Sequence, residues 1–226
     1  MNKNNCVLRE HHGTPRWSLL RRRVWLVLGI SIPLLGLGCT HDHKIDLHPE
    51  LFVHTSNLGE GQRLLVRVKD TRSQKAISKK ESGFQVESGR ALNTVNIYAS
   101  SDVMDTVSDK IMEGFQRLGF HPVRHGNRPG RKIIVELFRL QLNYQIGEAG
   151  LKVPEIHAQM ETVLRVRATR GSQSFKNIYR SRMIKSHRML TGKFTNERLV
   201  NNSLSMALQK MFEDPKLLQF LAVNPP

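Results

Sequence analysis

The sequence predicts an α+β domain, in which an antiparallel-rich sheet of about four strands carries two helices packed on one face. Several runs within residues 61–226 alternate apolar and polar side chains, as half-buried strands do. Two other runs place apolar residues at helical spacing. The order of these runs is strand, long loop, helix, three strands and helix. A two-layer sandwich with the order β-loop-α-β-β-β-α is therefore expected.

Four strands are predicted from the alternating runs. They are residues 63–69, 132–144, 157–169 and 175–183. In the second strand the apolar alternation shifts from Leu137 to Phe138, which predicts a bulge or a twist midway. Arg170-Gly171-Ser172 is typical of a tight turn between antiparallel neighbours. The polar stretch 73–99 is expected to hold a small hairpin around Ser88-Gly89.

The two helices are predicted from apolar stripes that follow polar capping residues. Ser100-Ser101-Asp102 is expected to open the first helix, with a serine as the cap. Gly119 is expected to end it in a left-handed conformation, with Phe120 folded back on the last turn. Thr195-Asn196-Glu197 is expected to cap the second helix.

The N-terminal segment has the organisation of a bacterial lipoprotein signal peptide. Arg21-Arg22-Arg23 precedes 14 mostly apolar residues, 24–37, a run shorter than the roughly 20 residues that span a bilayer. Residues 34–40, Leu-Leu-Gly-Leu-Gly-Cys-Thr, resemble a lipobox. This resemblance implies cleavage between Gly38 and Cys39 and lipid attachment to the Cys39 thiol. A plain anchor helix, or a cleaved signal with an incidental cysteine, is the alternative.

These features divide the chain into three parts. Residues 1–38 are predicted to be a lipoprotein-type signal peptide, 39–60 the lipidated cysteine with a flexible tether, and 61–226 a single periplasmic α+β domain. Thr40, not aspartate, follows the cysteine, which by analogy with enterobacterial sorting predicts an anchor in the outer membrane, facing the periplasm. A mobile, histidine-containing tether cannot preorganise metal ligands, so neither a metal site nor a cofactor is predicted.

The charge balance indicates an anionic partner. The formal net charge is +16, and residues 1–38 hold six basic residues and one acidic residue, so the chain from Cys39 keeps +11. Such a balance is typical of proteins that meet nucleic acid or an anionic membrane surface. Nucleic acid is the less favoured partner, because the sequence has no known nucleic-acid-recognition motif and no aromatic residues interleaved with the basic ones. Export would also separate the protein from nucleic acid.

Two predicted neighbouring strands concentrate basic residues on their polar face. These residues are Arg165, Arg167, Lys176, Arg180 and Arg182. They are predicted to form a basic stripe that binds an envelope protein or an anionic glycan or lipid. An ordinary solvated sheet face is the alternative. Asp70 and Arg72, at the end of the first strand, are candidates for a structural loop pair.

Several short motifs resemble the YajG family of uncharacterised bacterial lipoproteins. They are a lipobox, Val68-Lys-Asp-Thr-Arg72, Arg117-Leu-Gly-Phe120, Ile133-Ile-Val135, Val163-Leu-Arg-Val166 and Leu218-Gln-Phe220. The likeness covers roughly residues 61–222. It implies a lipid-anchored protein with a small periplasmic α/β module, and it implies no established activity.

No catalytic constellation is visible in the sequence. Gly-x-Ser-x-Gly, a phosphate-cradling glycine-rich loop and His-Glu-x-x-His are all missing from the chain. A non-enzymatic envelope module is therefore the favoured function. An envelope hydrolase without a recognisable motif is the alternative, and it would require a clustered acid and base.

Overall fold

The computed structural model describes residues 40–73, 76–82, 93–126, 130–146, 156–187 and 191–222. In chain order the elements are β1 (Thr40–Ile45), β2 (Arg63–Asp70), β3 (Ser78–Ser82), β4 (Asn93–Ala99), α1 (Val103–Arg117), β5 (His121–Val123), β6 (Arg131–Ile146), β7 (Ile156–Arg170), β8 (Gln173–His187), α2 (Lys193–Phe212) and α3 (Pro215–Leu221). Among these residues, no helix is long and apolar enough to cross a membrane.

The main sheet is mixed, with strand order β5-β2-β6-β7-β8. β6, β7 and β8 form a long antiparallel meander, while β2 pairs in parallel with both β5 and β6. The predicted α+β class is confirmed, and the sheet is mostly antiparallel. The structure adds β5 to the predicted strands and α3 to the predicted helices.

All three helices share one hydrophobic core on the inner face of the main sheet. Phe115 of α1 lies at its centre and is fully buried. Its ring makes edge contacts with Phe120, at 5.8 Å between ring centroids, and with Phe212 of α2, at 4.9 Å. Gly114 permits this close approach, because a Cβ atom there would lie 2.4 Å from the Phe212 ring. The aromatic cluster therefore joins the two long helices.

Both ends of α1 are capped, although the N-cap differs from the prediction. Asp102, not a serine, accepts hydrogen bonds from the Met104 and Asp105 amides at 2.6 and 3.4 Å. A carboxylate also suits the positive end of the helix dipole. Gly119 is left-handed as predicted, with φ +81°, and the Phe120 amide donates back to the Phe115 carbonyl at 3.1 Å.

The loop 56–61 satisfies the last carbonyl groups of α1. The Ser56, Gly59 and Gly61 amides donate to the carbonyls of Arg117, Leu118 and Gly119 at 2.9, 2.9 and 2.7 Å. These carbonyls have no partner within the helix. The motif Arg117-Leu-Gly-Phe120 therefore acts as a docking point for the N-terminal part of the domain.

The predicted start of α2 was wrong. The helix begins at Lys193, and its N-cap residue, Gly192, provides no side-chain hydrogen bond. Asn196, which was expected to cap the helix, is buried inside it and accepts a hydrogen bond from the Tyr144 hydroxyl at 2.6 Å. A polar residue can occupy this core position because its hydrogen-bonding groups are satisfied there.

A second sheet has the order β1-β4-β3. β1 is parallel to β4, and β3 is antiparallel to β4. Ile77 connects this sheet to the main one, because its amide donates to Ile97 at 2.9 Å and its carbonyl accepts from the Leu142 amide at 2.8 Å. The second strand expected for the hairpin, at residues 95–98, lies within β4. The first expected strand, at residues 83–86, and the turn at Ser88-Gly89 lie outside the described residues.

Residues 45–53 form an extended strap that lies along α2. Their odd-numbered residues are buried, and their even-numbered residues are exposed or half-buried. The buried apolar members include Ile45, Leu47, Leu51 and Val53, which belong to the main core cluster. This segment therefore contributes an apolar row to the core in addition to those of β2, β6, β7 and β8.

Hydrogen bonds from α2 side chains fix the register of the strap. The amides of residues 46, 48, 50 and 52 donate to the side chains of Glu197, Asn201, Ser205 and Gln209 at 2.7–3.1 Å. Four residues of helix rise about 6 Å, and two residues of extended chain advance about 6.6 Å. The two repeats match closely enough for four successive bonds to form.

The expectation of a flexible tether at 39–60 differs from this finding. Residues 40–45 form a strand, 45–53 form the strap, and 56–61 cap α1. The polar side chains that indicated a spacer occupy the exposed positions of an alternating strand. The folded domain therefore begins at Thr40 within the described residues.

We expect Asn201→Ala to loosen the strap. The Asn201 amide group accepts from the His48 N–H at 2.7 Å and donates to the Asp46 carbonyl at 2.9 Å. Losing two such bonds should lower the free energy of unfolding by about 1–2 kcal/mol and speed hydrogen exchange at the His48 amide. Asn202→Ala, at the exposed neighbouring position, is the matched control. Equal effects of the two substitutions would contradict this role.

Candidate functional site

Strands β7 and β8 place the five predicted basic residues on the sheet face opposite the helices. We call Arg165, Arg167, Lys176, Arg180 and Arg182 the basic face. Alternate residues of β7 such as Met160, Leu164 and Ala168 are buried against the helices, and the basic residues between them are exposed. The register aligns Arg167 with Lys176. Gly171, with φ +58°, makes the turn that sets this register.

The aromatic residue of the basic face, Phe138, lies at a β-bulge in β6. The pairing of β6 with β7 shifts between Leu137 and Arg139, which confirms the predicted bulge. Leu137 stays buried, while the ring of Phe138 lies under the guanidinium group of Arg165, whose Cζ is 3.3 Å from the ring centroid. Such stacking holds a guanidinium flat and leaves its edge N–H groups available to a ligand.

Two of the basic residues are partnered by neighbouring polar side chains. Glu161 accepts from Arg139 at 2.6 Å and lies 3.4 Å from Nε of Arg180. Arg182 donates to the Gln159 side chain at 3.1 Å. This half of the basic face is therefore partly neutralised and ordered by its own contacts. Sequence reasoning missed Arg139, although the shift in apolar alternation at the bulge indicated an irregular position there.

Arg167 and Lys176 carry the unbalanced charge of the basic face. They are exposed, lie opposite each other on β7 and β8, and form no ion pair within the described part of the chain. With Arg165 and Glu136 they line a shallow depression of about 510 Å³. A phosphate or carboxylate placed there would meet a guanidinium fork and an ammonium group, the two donors that bind such anions best.

Strand β8 is held against the helices by a partly buried hydrogen-bonded cluster. The Tyr179 hydroxyl and the Asn177 amide donate to Asp214, the N-cap of α3, at 2.6 and 2.8 Å. Burial, followed by the bond to Asp214, raises the pKa of Tyr179. Burial alone would raise the pKa of Asp214, but these bonds and those from the Lys216 and Leu217 amides outweigh it and lower that pKa.

Asp70 and Arg72 form a bidentate ion pair at the end of β2. Arg72 donates from Nε and from a terminal nitrogen to the two Asp70 carboxylate oxygens, both at 2.9 Å. Thr71 between them donates its amide to the Leu137 carbonyl at 3.0 Å, immediately before the bulge. The pair thus lies beside the bulge at Phe138.

The remaining predicted residues are not brought together into a site. Gly38 and Cys39 lie outside the described residues. In the part of the chain that the structure describes, no group of histidine, cysteine, aspartate and glutamate residues could hold a metal ion.

Comparison with known proteins identifies the family. A family model described as uncharacterized lipoprotein, Lipoprotein_16, matches residues 49–222. The chain belongs to the Lipoprotein_16 family. The match begins inside the strap and ends in the last described residue of the domain, so in this Lipoprotein_16 member it covers the basic face and all three helices. No curated protein matches the sequence.

Solved structures similar to this Lipoprotein_16 member are distant in sequence. One is protein XCC0632 from Xanthomonas campestris, with 11% identity, a TM-score of 0.45 and coverage of 80% of this chain and 94% of the other. Another is a Helicobacter pylori protein named as a homolog of neuraminyllactose-binding hemagglutinin, with 8% identity, a TM-score of 0.43 and coverage of 78% and 96%. These structural similarities do not support a functional assignment.

Proposed function

We propose that this lipoprotein is a non-enzymatic envelope module that binds an anionic glycan or lipid through the basic face. The observation that carries the proposal is the facing pair Arg167 and Lys176, which have no acidic partner among the described residues. Arg165 beside them is preoriented on Phe138. An anion bound there would replace water around three cations at once.

The proposed location is the outer membrane, on its periplasmic side. Family membership supports a lipid anchor, and the lipobox-like sequence ending at Cys39 supports acylation of that thiol. Two or more acyl chains would make the attachment effectively permanent. Thr40 after the cysteine and the likeness to YajG support the outer membrane as the destination.

The absence of enzymatic activity is part of the same proposal. The basic face offers two carboxylates, Glu136 and Glu161, and Glu161 is held between two arginines. A hydrolase would need an acid and a base that share one substrate position. The arrangement favours holding an anion over transforming it.

Replacing the five residues of the basic face by glutamine should abolish binding to envelope anions. The test uses the unlipidated chain from Thr40 and measures its sedimentation with lipopolysaccharide and with envelope fragments at low salt. We expect the wild-type chain to be retained and to be released as salt rises, because exposed charges are screened. The fivefold variant should not be retained.

A matched control removes the same charge from the helical side of the domain. The control replaces Lys110, Arg117, Arg124, Arg198 and Lys216 by glutamine, so both variants lose five positive charges. Retention of the control with loss of the basic-face variant would support a defined surface. Retention of both would contradict anion binding at this face, and loss of both would show that net charge alone is responsible. Retention on fragments but not on lipopolysaccharide would exclude lipopolysaccharide as the bound anion.

A further inference from the structure

The first turn of α2 exposes a large apolar side chain next to a cation. Phe194 is 83% exposed, the most exposed of the large hydrophobic residues described. Lys193 before it is also exposed. An aromatic ring beside a lysine is a typical composition for a protein segment at the boundary between lipid headgroups and acyl chains.

The strap places this turn close to the proposed lipid attachment point. The Asp46 amide donates to Glu197 in α2 at 3.1 Å, so Ile45 lies beside the beginning of the helix. Cys39 is six residues before Ile45. Six extended residues reach at most about 20 Å. A lipid on Cys39 therefore cannot hold this end of the domain farther than that from the bilayer.

Strand β1 restricts the conformational freedom of this connection. Residues 40–45 pair in parallel with β4, from Thr40 opposite Thr94 to Ile45 opposite Ala99. An extended strand that is paired along its whole length cannot act as a free spacer. Strand β1 therefore extends the described fold to Thr40, the residue that follows Cys39 in sequence.

We infer that the first turn of α2 rests on the bilayer, with Phe194 inserted at the headgroup boundary and Lys193 beside the lipid phosphates. The inference rests on the proposed acylation of Cys39. The partner is the lipid surface itself, because the connection between the turn and the lipid on Cys39 is at most about 20 Å long. Contact at this end orients the domain, and it leaves the basic face on β7 and β8 available for a second anion.

Tryptophan fluorescence can test the inference directly. The chain has two tryptophans, Trp17 and Trp25, and both precede Cys39. Phe194→Trp therefore gives the mature chain a single tryptophan at the proposed contact. Phe52→Trp is the matched control, since Phe52 is 73% exposed and its amide donates to Gln209. Gln209 is 15 residues along α2 from Phe194, which corresponds to about 22 Å of helix rise.

The full-length variants are expressed in a Gram-negative host, purified and reconstituted into vesicles of phosphatidylethanolamine and phosphatidylglycerol that contain dibrominated phosphatidylcholine. We expect the Phe194→Trp variant to show blue-shifted, quenched emission and the Phe52→Trp variant to show neither. A flexible glycine-serine insertion between Thr40 and His41 should weaken the quenching, because it restores slack.

Each further outcome overturns the inference. Equal quenching of both variants, no quenching of either, or quenching unaffected by the insertion would contradict an oriented contact imposed by the anchor. Measuring the intact mass of the protein separates a test of the bilayer contact from a test of Cys39 acylation. An acylated protein with an unquenched Phe194→Trp variant overturns the inference alone, whereas a protein without acyl mass, matching Cys39→Ala, overturns the proposed attachment.

Discussion

Phe115→Ala is expected to lower the free energy of unfolding by about 3–5 kcal/mol. The Phe115 ring is fully buried and contacts both Phe120 and Phe212. Its removal leaves a cavity where α1, α2 and the turn after α1 meet, and these elements are held by other contacts that prevent full collapse. Urea unfolding followed by circular dichroism measures this change. An unchanged m-value, the slope of the unfolding free energy against urea concentration, would indicate that only stability has changed.

The same substitution at Phe194 is the control for this prediction. That side chain is 83% exposed, so Phe194→Ala in the unlipidated chain should change stability by no more than about 0.5 kcal/mol. A similar loss from the two substitutions would mean that the aromatic cluster does not hold the helices together.

Gly119→Ala is expected to cost about 2–5 kcal/mol through two separate effects. The left-handed backbone at φ +81° disfavours alanine by roughly 1–2 kcal/mol. In addition, an added Cβ would lie 2.9 Å from the backbone of Ser56 and Asn57, which cannot move without breaking the cap on α1. Overpacking of this kind costs about 1–3 kcal/mol.

Gly171→Ala separates these two effects. Gly171 is also left-handed, with φ +58°, but a Cβ there would meet nothing within 4 Å. Its substitution should therefore show the backbone cost alone. Thermal unfolding of the two variants side by side gives the difference. If Gly171→Ala is as destabilising as Gly119→Ala, the close contact with Ser56 and Asn57 has no energetic role.

Local sequence patterns were sufficient for much of the main sheet. Alternation along β7 and β8 correctly assigned Arg165, Arg167 and Lys176 to the face away from the core, because antiparallel neighbours share their faces residue by residue. The presence of glycine at position 119 likewise allowed the left-handed conformation there to be predicted. In both cases the structure is decided by residues that are adjacent in sequence.

The strap and the second sheet could not be predicted in this way. Ile45, Leu47, Leu51 and Val53 alternate as in a strand, but the histidines and acidic residues among them are also typical of a linker. The partner that decides between these readings is α2, about 150 residues away. The parallel pairing of β1 with β4 depends on equally distant contacts. Asn196 shows the same limit, because burial beside Tyr144 overrides its preference for a cap.

The candidate site was predicted in its charges but not in its organisation. The five cations were visible in the sequence, whereas the contacts of Phe138 and Glu161 depend on the bulge in β6. An extra residue moves every following side chain to the other face, so its position must be known before the neighbours of Glu161 can be named.

The parallel course of the strap and α2 also determines how the domain responds to force. A pull on the chain at Thr40 runs along the axis of β1 and then along the strap. The bonds between β1 and β4, and those from α2 to residues 46, 48, 50 and 52, are therefore loaded together in shear. A strand peeled sideways would break the same bonds one at a time at lower tension. Traction from the N-terminal side thus loads these bonds together and not one after another.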